Sequence, residues 1–299
     1  MTNRFDSVDS VLKQLDAVDY LADNEIASAA FLGDRLQKPV LVEGPAGTGK
    51  TQLAKSVAEM IGARLLRLQC YEGLDENKAL YEWNYKKQLL RIQASSGSDQ
   101  NNDGWAALQD DIFSEEFLLA RPLLEAITSE EPVVLLIDEV DRVELETEAL
   151  LLEILSDYQV SIPELGTIKA KQIPLVFLTS NNSRELSEAL KRRCLFLYLD
   201  YPSAEREKEI ILTRVPEVGD ELATQISEIV ASIRKLELKK HPSVSETIDW
   251  ARTLVLLGIE RIEQEVPSET LNILLKYRSD VEKVSKEFLS NSVAYFDAS

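Results

Sequence analysis

The 299 residues hold only two cysteines and one histidine. Cys70 and Cys194 lie far apart, and neither has the sole histidine, His241, at ligand spacing, so a His/Cys metal site, a disulfide framework and a Ser-His-Asp triad are all disfavoured. Glycine (11) and proline (10) are too scarce for a collagenous or low-complexity chain, and 44% hydrophobic with 28% charged residues is ordinary globular composition. No apolar run approaches the roughly 18 uninterrupted residues that span a bilayer, and Met1 to Asp6 contains no apolar signal segment. The expected compartment is therefore the cytoplasm, with no membrane partner. Basic residues are also in deficit. Lys plus Arg number 33 against 52 Asp plus Glu, and the net charge of -19 repels a phosphate backbone, which disfavours nucleic acid as a partner.

At about 150 residues per domain the length suits a main domain with a smaller companion. Helical periodicity over residues 7–36 ends at Lys38-Pro39. Short apolar runs then follow at Val40-Val42, Leu65-Leu68, Val133-Ile137, Pro174-Leu178 and Leu195-Leu199, separated by helical segments, which is the alternation that builds a parallel α/β sheet. A long excursion at 70–115 includes the polar, turn-rich Ser95 to Gly104, which reads as a loop, and the stretch 80–92, whose periodicity fits either hairpin or helix. After Asp200-Tyr201-Pro202 only helical patterns remain: 205–214, 220–236, 244–257 and 268–289. The expected architecture is a three-layer αβα domain over residues 1–202 with a five-stranded parallel sheet, followed by an all-helical lid at 203–299.

Chemistry concentrates in two places. Gly44-Pro45-Ala46-Gly47-Thr48-Gly49-Lys50-Thr51 fits the phosphate-loop pattern G-x-x-x-x-G-K-[ST], with a strand before it and a helix after it. Its glycines let backbone N–H groups close around phosphate oxygens, and the helix adds its positive end. Lys50 is placed to reach the β- and γ-phosphates of ATP, and the Thr51 hydroxyl to ligate Mg²⁺. The run Val133 to Ile137 ends in Asp138-Glu139, at the strand end where open α/β sheets bind ligands. Asp138 suits the Mg²⁺ water shell, and Glu139 suits a base for the attacking water.

Together with Asp138-Glu139-Val140-Asp141-Arg142 and Leu178-Thr179-Ser180-Asn181-Asn182, the phosphate loop resembles the MoxR group of AAA+ ATPases. The stretches Phe117-Leu124, Ala189-Cys194 and Pro242-Thr247 look closest to its CoxD-type members. The resemblance implies Mg²⁺-dependent hydrolysis of ATP to ADP and phosphate by a ring, a homo-hexamer, that remodels or matures a client protein. It further implies help with a metal centre in a target enzyme, alongside a partner carrying a von Willebrand factor A domain. It makes Asn181, with Asn182 as rival, the sensor that places the lytic water. It makes Arg193, with Arg192 as substitute, the arginine finger that enters a neighbouring subunit. The hairpin-like stretch 159–172 and the insertion within 72–115 correspond to elements that face the pore or client. One departure stands out: where the family carries a sensor 2 arginine, this chain has Ser245. That substitution leaves open an alternative, a nucleotide-gated switch or scaffold that hydrolyses little.

Overall fold

The computed structural model describes residues 4–95, 112–262 and 268–291. The chain forms two compact units, Met1–Gly44 with Lys50–Tyr198, and Pro45–Gly49 with Leu199–Ser299. In the first, strands β1 (Val40–Glu43), β2 (Arg64–Gln69), β5 (Val133–Asp138), β8 (Leu175–Ser180) and β9 (Leu195–Tyr198) make one sheet in the order β2-β5-β8-β1-β9, every pair parallel. Helices α1 (Val8–Asp16), α2 (Asn24–Leu36), α3 (Lys50–Met60), α4 (Tyr85–Ser95), α5 (Pro122–Thr128), α6 (Leu145–Asp157) and α7 (Glu188–Arg193) accompany it. The fold is the expected αβα sandwich.

The inner strands are apolar on both faces because both are covered. All six residues of β5 and all six of β8 are buried. Leu41, Leu135, Ile137, Val176 and Leu178 join one core cluster with Leu123, Leu124 and Ile127 of α5 and Leu151, Ile154 and Leu155 of α6. On α2 a Cβ at Gly33 would come within 2.8 Å of Val40 Cγ2, so only glycine lets that helix lie this close to the strand.

The stretch 80–92 forms no hairpin of its own: it holds one short strand, whose partner lies outside it, and then a helix. Strand β3 (Tyr81–Trp83) pairs antiparallel with β4 (Leu118–Ala120), and α4 follows at once. Trp83 is buried, edge-on to Tyr81 and Phe113, while Tyr85 is exposed. Most of the polar stretch read as a loop, 96–104, lies outside the described residues. Residues 159–172 contain the expected hairpin, β6 (Gln159–Ile162) against β7 (Gly166–Lys169).

The second unit is helical: α8 (Ala204–Arg214), α9 (Asp220–Arg234), α10 (Val244–Leu256) and α11 (Arg278–Asn291). The single helix expected over 268–289 is divided. A short turn of helix, Leu271–Leu274, stops at Leu275, whose extended backbone buries it beside Leu271 and Leu274, and the chain re-enters helix at Arg278. Among the described residues no helix is long and apolar enough to cross a membrane.

Both thiols serve the core. Cys70 is buried and Cys194 half-buried, and burial pushes each thiol up to about 12. At pH 8 the thiolate fraction is then on the order of 10⁻⁴, so alkylation by iodoacetamide is expected to be slow natively and rapid once denaturant is added. Mass spectrometry of the two tryptic peptides checks this; rapid native labelling of Cys70 would contradict its burial.

Candidate nucleotide site

Three neighbouring strands, β5, β8 and β1, deliver the sequence-read site residues other than Arg192 and Arg193 at or just beyond their C-terminal ends. The phosphate loop leaves β1 at Gly44 and enters α3 at Lys50. Its glycines adopt φ values of 151° (Gly44), 79° (Gly47) and 97° (Gly49), a region that side chains rarely occupy. At Gly47 the requirement is steric as well: within the second unit, Val244 N–H donates to Gly47 O at 3.1 Å, and a Cβ on Gly47 would lie 2.1 Å from Ser243 Cβ. Ser243 and Glu246 close a reciprocal capping box on α10, and Ser245 beside them is exposed. Arg252, on the same helix, is exposed and 3.6 Å from Asp249.

Lys50 is buried and donates to Gly44 O at 2.8 Å. Burial lowers its pKa, against the opposing pull of Asp141, Asp138 and Glu139. The Thr51 hydroxyl donates to Asp138 Oδ1 at 3.0 Å, which brings together the two oxygen ligands read from the sequence as metal-holding. Hard oxygen donors in a small cluster beside a phosphate loop suit Mg²⁺, which binds through one or two protein oxygens, waters and phosphate. Asp138 is 2% exposed and also accepts from Thr179 Oγ1 at 2.5 Å and from Arg67 Nη2 at 2.6 Å. Thr179 Oγ1 in turn accepts from Glu139 N–H at 2.9 Å.

Glu139 has left-handed backbone, φ 58° and ψ 49°, a strained choice for a residue with a side chain, and such outliers cluster at functional sites. Its carboxylate accepts from Gln69 Nε2 at 3.1 Å and pairs with Arg142 at 2.9 Å. Asn181 follows β8. Its N–H donates to Asp141 Oδ2 at 3.2 Å, and Asn182 next to it is left-handed at φ 58°. Arg192 and Arg193 end α7, and none of their hydrogen bonds or ion pairs among the described residues involves the phosphate loop, Asp138, Glu139 or Asn181. Arg193 is tied to its own helix and to α6, through Ala189 O at 3.0 Å and Ser156 Oγ. Arg192 projects, its side chain 80% exposed and 3.7 Å from Glu188.

Sequence reading missed Arg67, Gln69, Thr179 and the part played by Asp141. A signal existed for the first two. Arg67 and Gln69 alternate with apolar residues on β2, and strand register sets Gln69 opposite Asp138.

A phosphate loop between β1 and α3, with a paired acidic strand end on β5 two strands away, defines a P-loop nucleotide-binding domain of AAA+ architecture. The chain belongs to the AAA domain family of the dynein-related subfamily, whose profile matches residues 39–194, more than half of its length. It is similar to an uncharacterized protein of Staphylococcus aureus (strain USA300), 26% identical over 239 residues, which cover 76% of this chain and 81% of that one. A second, from Staphylococcus haemolyticus (strain JCSC1435), is 25% identical over 252 residues, covering 80% and 87%. Among solved structures, two variants of RuvB from Thermotoga maritima superpose with a TM-score of 0.50 each, at 19% and 18% identity. They cover 91% and 100% of this chain and 73% and 82% of their own. At that identity the likeness is one of fold.

Proposed function

We propose that the protein is a Mg²⁺-dependent ATPase of the MoxR type that works as a ring and remodels a client protein. One observation carries the reading: the phosphate-loop Thr51 and the strand-end Asp138 meet at 3.0 Å, with Glu139 next in line. Gly44 to Gly49 wrap the phosphates, Lys50 binds their outer oxygens, and Thr51 and Asp138 hold Mg²⁺. Mg²⁺ held by those two oxygens would supply charge neutralisation at the phosphate oxygens. Glu139 takes the proton of the attacking water and Asn181 orients that water. The arginine finger comes from a neighbouring copy. Of the two candidates, the tethering of Arg193 favours the projecting Arg192 for this task. Resemblance to CoxD-type proteins extends the reading to metal-centre maturation in the cytoplasm with a von Willebrand factor A domain partner.

A second reading, a nucleotide-gated switch with little hydrolysis, draws on Glu139 being held by Gln69 and Arg142 and on the serine at position 245. Specific ATPase rate measured against protein concentration separates the two. A composite site makes the rate per subunit climb and then saturate, and Arg192→Ala is expected to lower the plateau about 10³-fold or more with nucleotide still bound. Lys50→Ala is expected to lose nucleotide binding altogether. A rate near zero at every concentration, with tight nucleotide binding, would favour the switch.

A further inference from the structure

Resting on the ATPase reading above, we propose that Asp141 is a positioning residue: it holds the turn carrying Asn181 in place beside Glu139, and so governs turnover instead of nucleotide binding. The backbone ladder between β5 and β8 runs from Val134↔Leu175 to Ile137↔Leu178. Beyond it, both chains leave the sheet through turns with a left-handed residue, Glu139 and Asn182, each at φ 58°. Side chains connect those turns. Thr179 bridges Asp138 Oδ1 and Glu139 N–H. Asp141 grips the far turn with a single oxygen: Oδ2 accepts from Asn181 N–H at 3.2 Å, Ser183 N–H at 2.8 Å and Ser183 Oγ at 2.6 Å.

The carboxylate is costly where it stands. Asp141 is 3% exposed, and its Oδ1 is buried with no hydrogen-bond partner among the described residues. A buried polar atom left without a partner costs stability, and the three bonds to Oδ2 offset that cost. Burial would raise its pKa, yet the donations from Ser183 and Asn181 outweigh that and keep it below the ordinary carboxylate range. The group is therefore an anion at neutral pH, with three donors converging on one of its atoms. The Asn181 side chain makes no hydrogen bond within the chain among the described residues, so the backbone held by Asp141 sets where its amide goes.

A double-mutant cycle tests this. Asp141→Asn is expected to lower kcat about tenfold, the worth of a hydrogen bond to a charged group, while the affinity for a fluorescent ADP analogue stays level or rises, because the lost negative charge also acts on Lys50. In an Asn181→Ala background the same change is expected to lower kcat by less than about twofold, because the residue it acts through is gone. Equal losses in both backgrounds, or nucleotide affinity falling in step with kcat, would overturn the proposal. Hydrogen exchange gives a readout that needs no turnover. The amides of Asn181 and Ser183 are expected to exchange about tenfold faster in Asp141→Asn while those of α3 stay unchanged, and unaltered exchange at 181 and 183 would refute the hold. A wild-type chain with no turnover counts against the ATPase reading and leaves exchange to decide the hold. If Asp141→Asn does not fold, Ser183→Ala removes one of the three bonds and is expected to show the same pattern at about threefold.

Discussion

Glu139→Gln is expected to leave ATP bound and to slow its hydrolysis by about 10²–10⁴-fold, the usual contribution of a general base. Glutamine has the shape of glutamate and accepts the same left-handed backbone, so the substitution changes charge and basicity with the turn intact. The lost ion pair with Arg142 involves a side chain that is 57% exposed, and pairs of that kind contribute little to stability. Lys50, Thr51 and Asp138 keep their contacts, so affinity stands. Phosphate release measured beside nucleotide retained on a filter separates the outcomes. Hydrolysis within about tenfold of wild type would place the base elsewhere. Loss of bound nucleotide would show that Glu139 shapes the pocket itself.

Most of the sheet is legible in the sequence because each of its strands is a short apolar run between turn signals, and buried parallel strands need no alternation to be seen. The phosphate loop is legible for a different reason: backbone wrapping of phosphate demands glycines at fixed spacing. What escaped reading depends on distant partners. β3 is three residues long and exists only through β4, some 37 positions later, so periodicity around 80–92 could not separate strand from helix. Arg67, Gln69 and Thr179 meet the acidic strand end only after β2 and β8 take their places on either side of β5. The break at Leu275 follows from tertiary burial that overrides a continuous helical pattern. Asp141 lies within the acidic motif, yet its three donors come from 40 and 42 residues away.

The largest effect on stability is expected in the second unit, where Glu207→Ala should cost about 3–5 kcal/mol. Glu207 is fully buried and Arg234 nearly so, their side chains 0% and 8% exposed, and they pair through two bonds of 2.5 and 2.8 Å. Arg234 also donates to Pro242 O at 2.9 Å and lies 4.4 Å from the Tyr201 ring centroid. Removing the glutamate leaves a guanidinium that has lost its paired carboxylate in a site largely closed to water. The worth of the pair itself is a separate quantity, since burying two ions carries its own desolvation cost. Joint replacement, Glu207→Leu with Arg234→Met, is therefore expected to recover most of the loss, short of the bond to Pro242. Trp250 reports on the unit: it is fully buried in the same helical core and donates to Thr270 Oγ1 at 2.7 Å. With Trp83 and Trp105 replaced by Phe, its fluorescence during urea unfolding reads the midpoint of the unit alone. A shift under about 1 kcal/mol for Glu207→Ala would mean that the pair behaves as a solvated one. A double variant as unstable as the single would mean that the Pro242 and Tyr201 contacts, and not the orphaned charge, carry the cost.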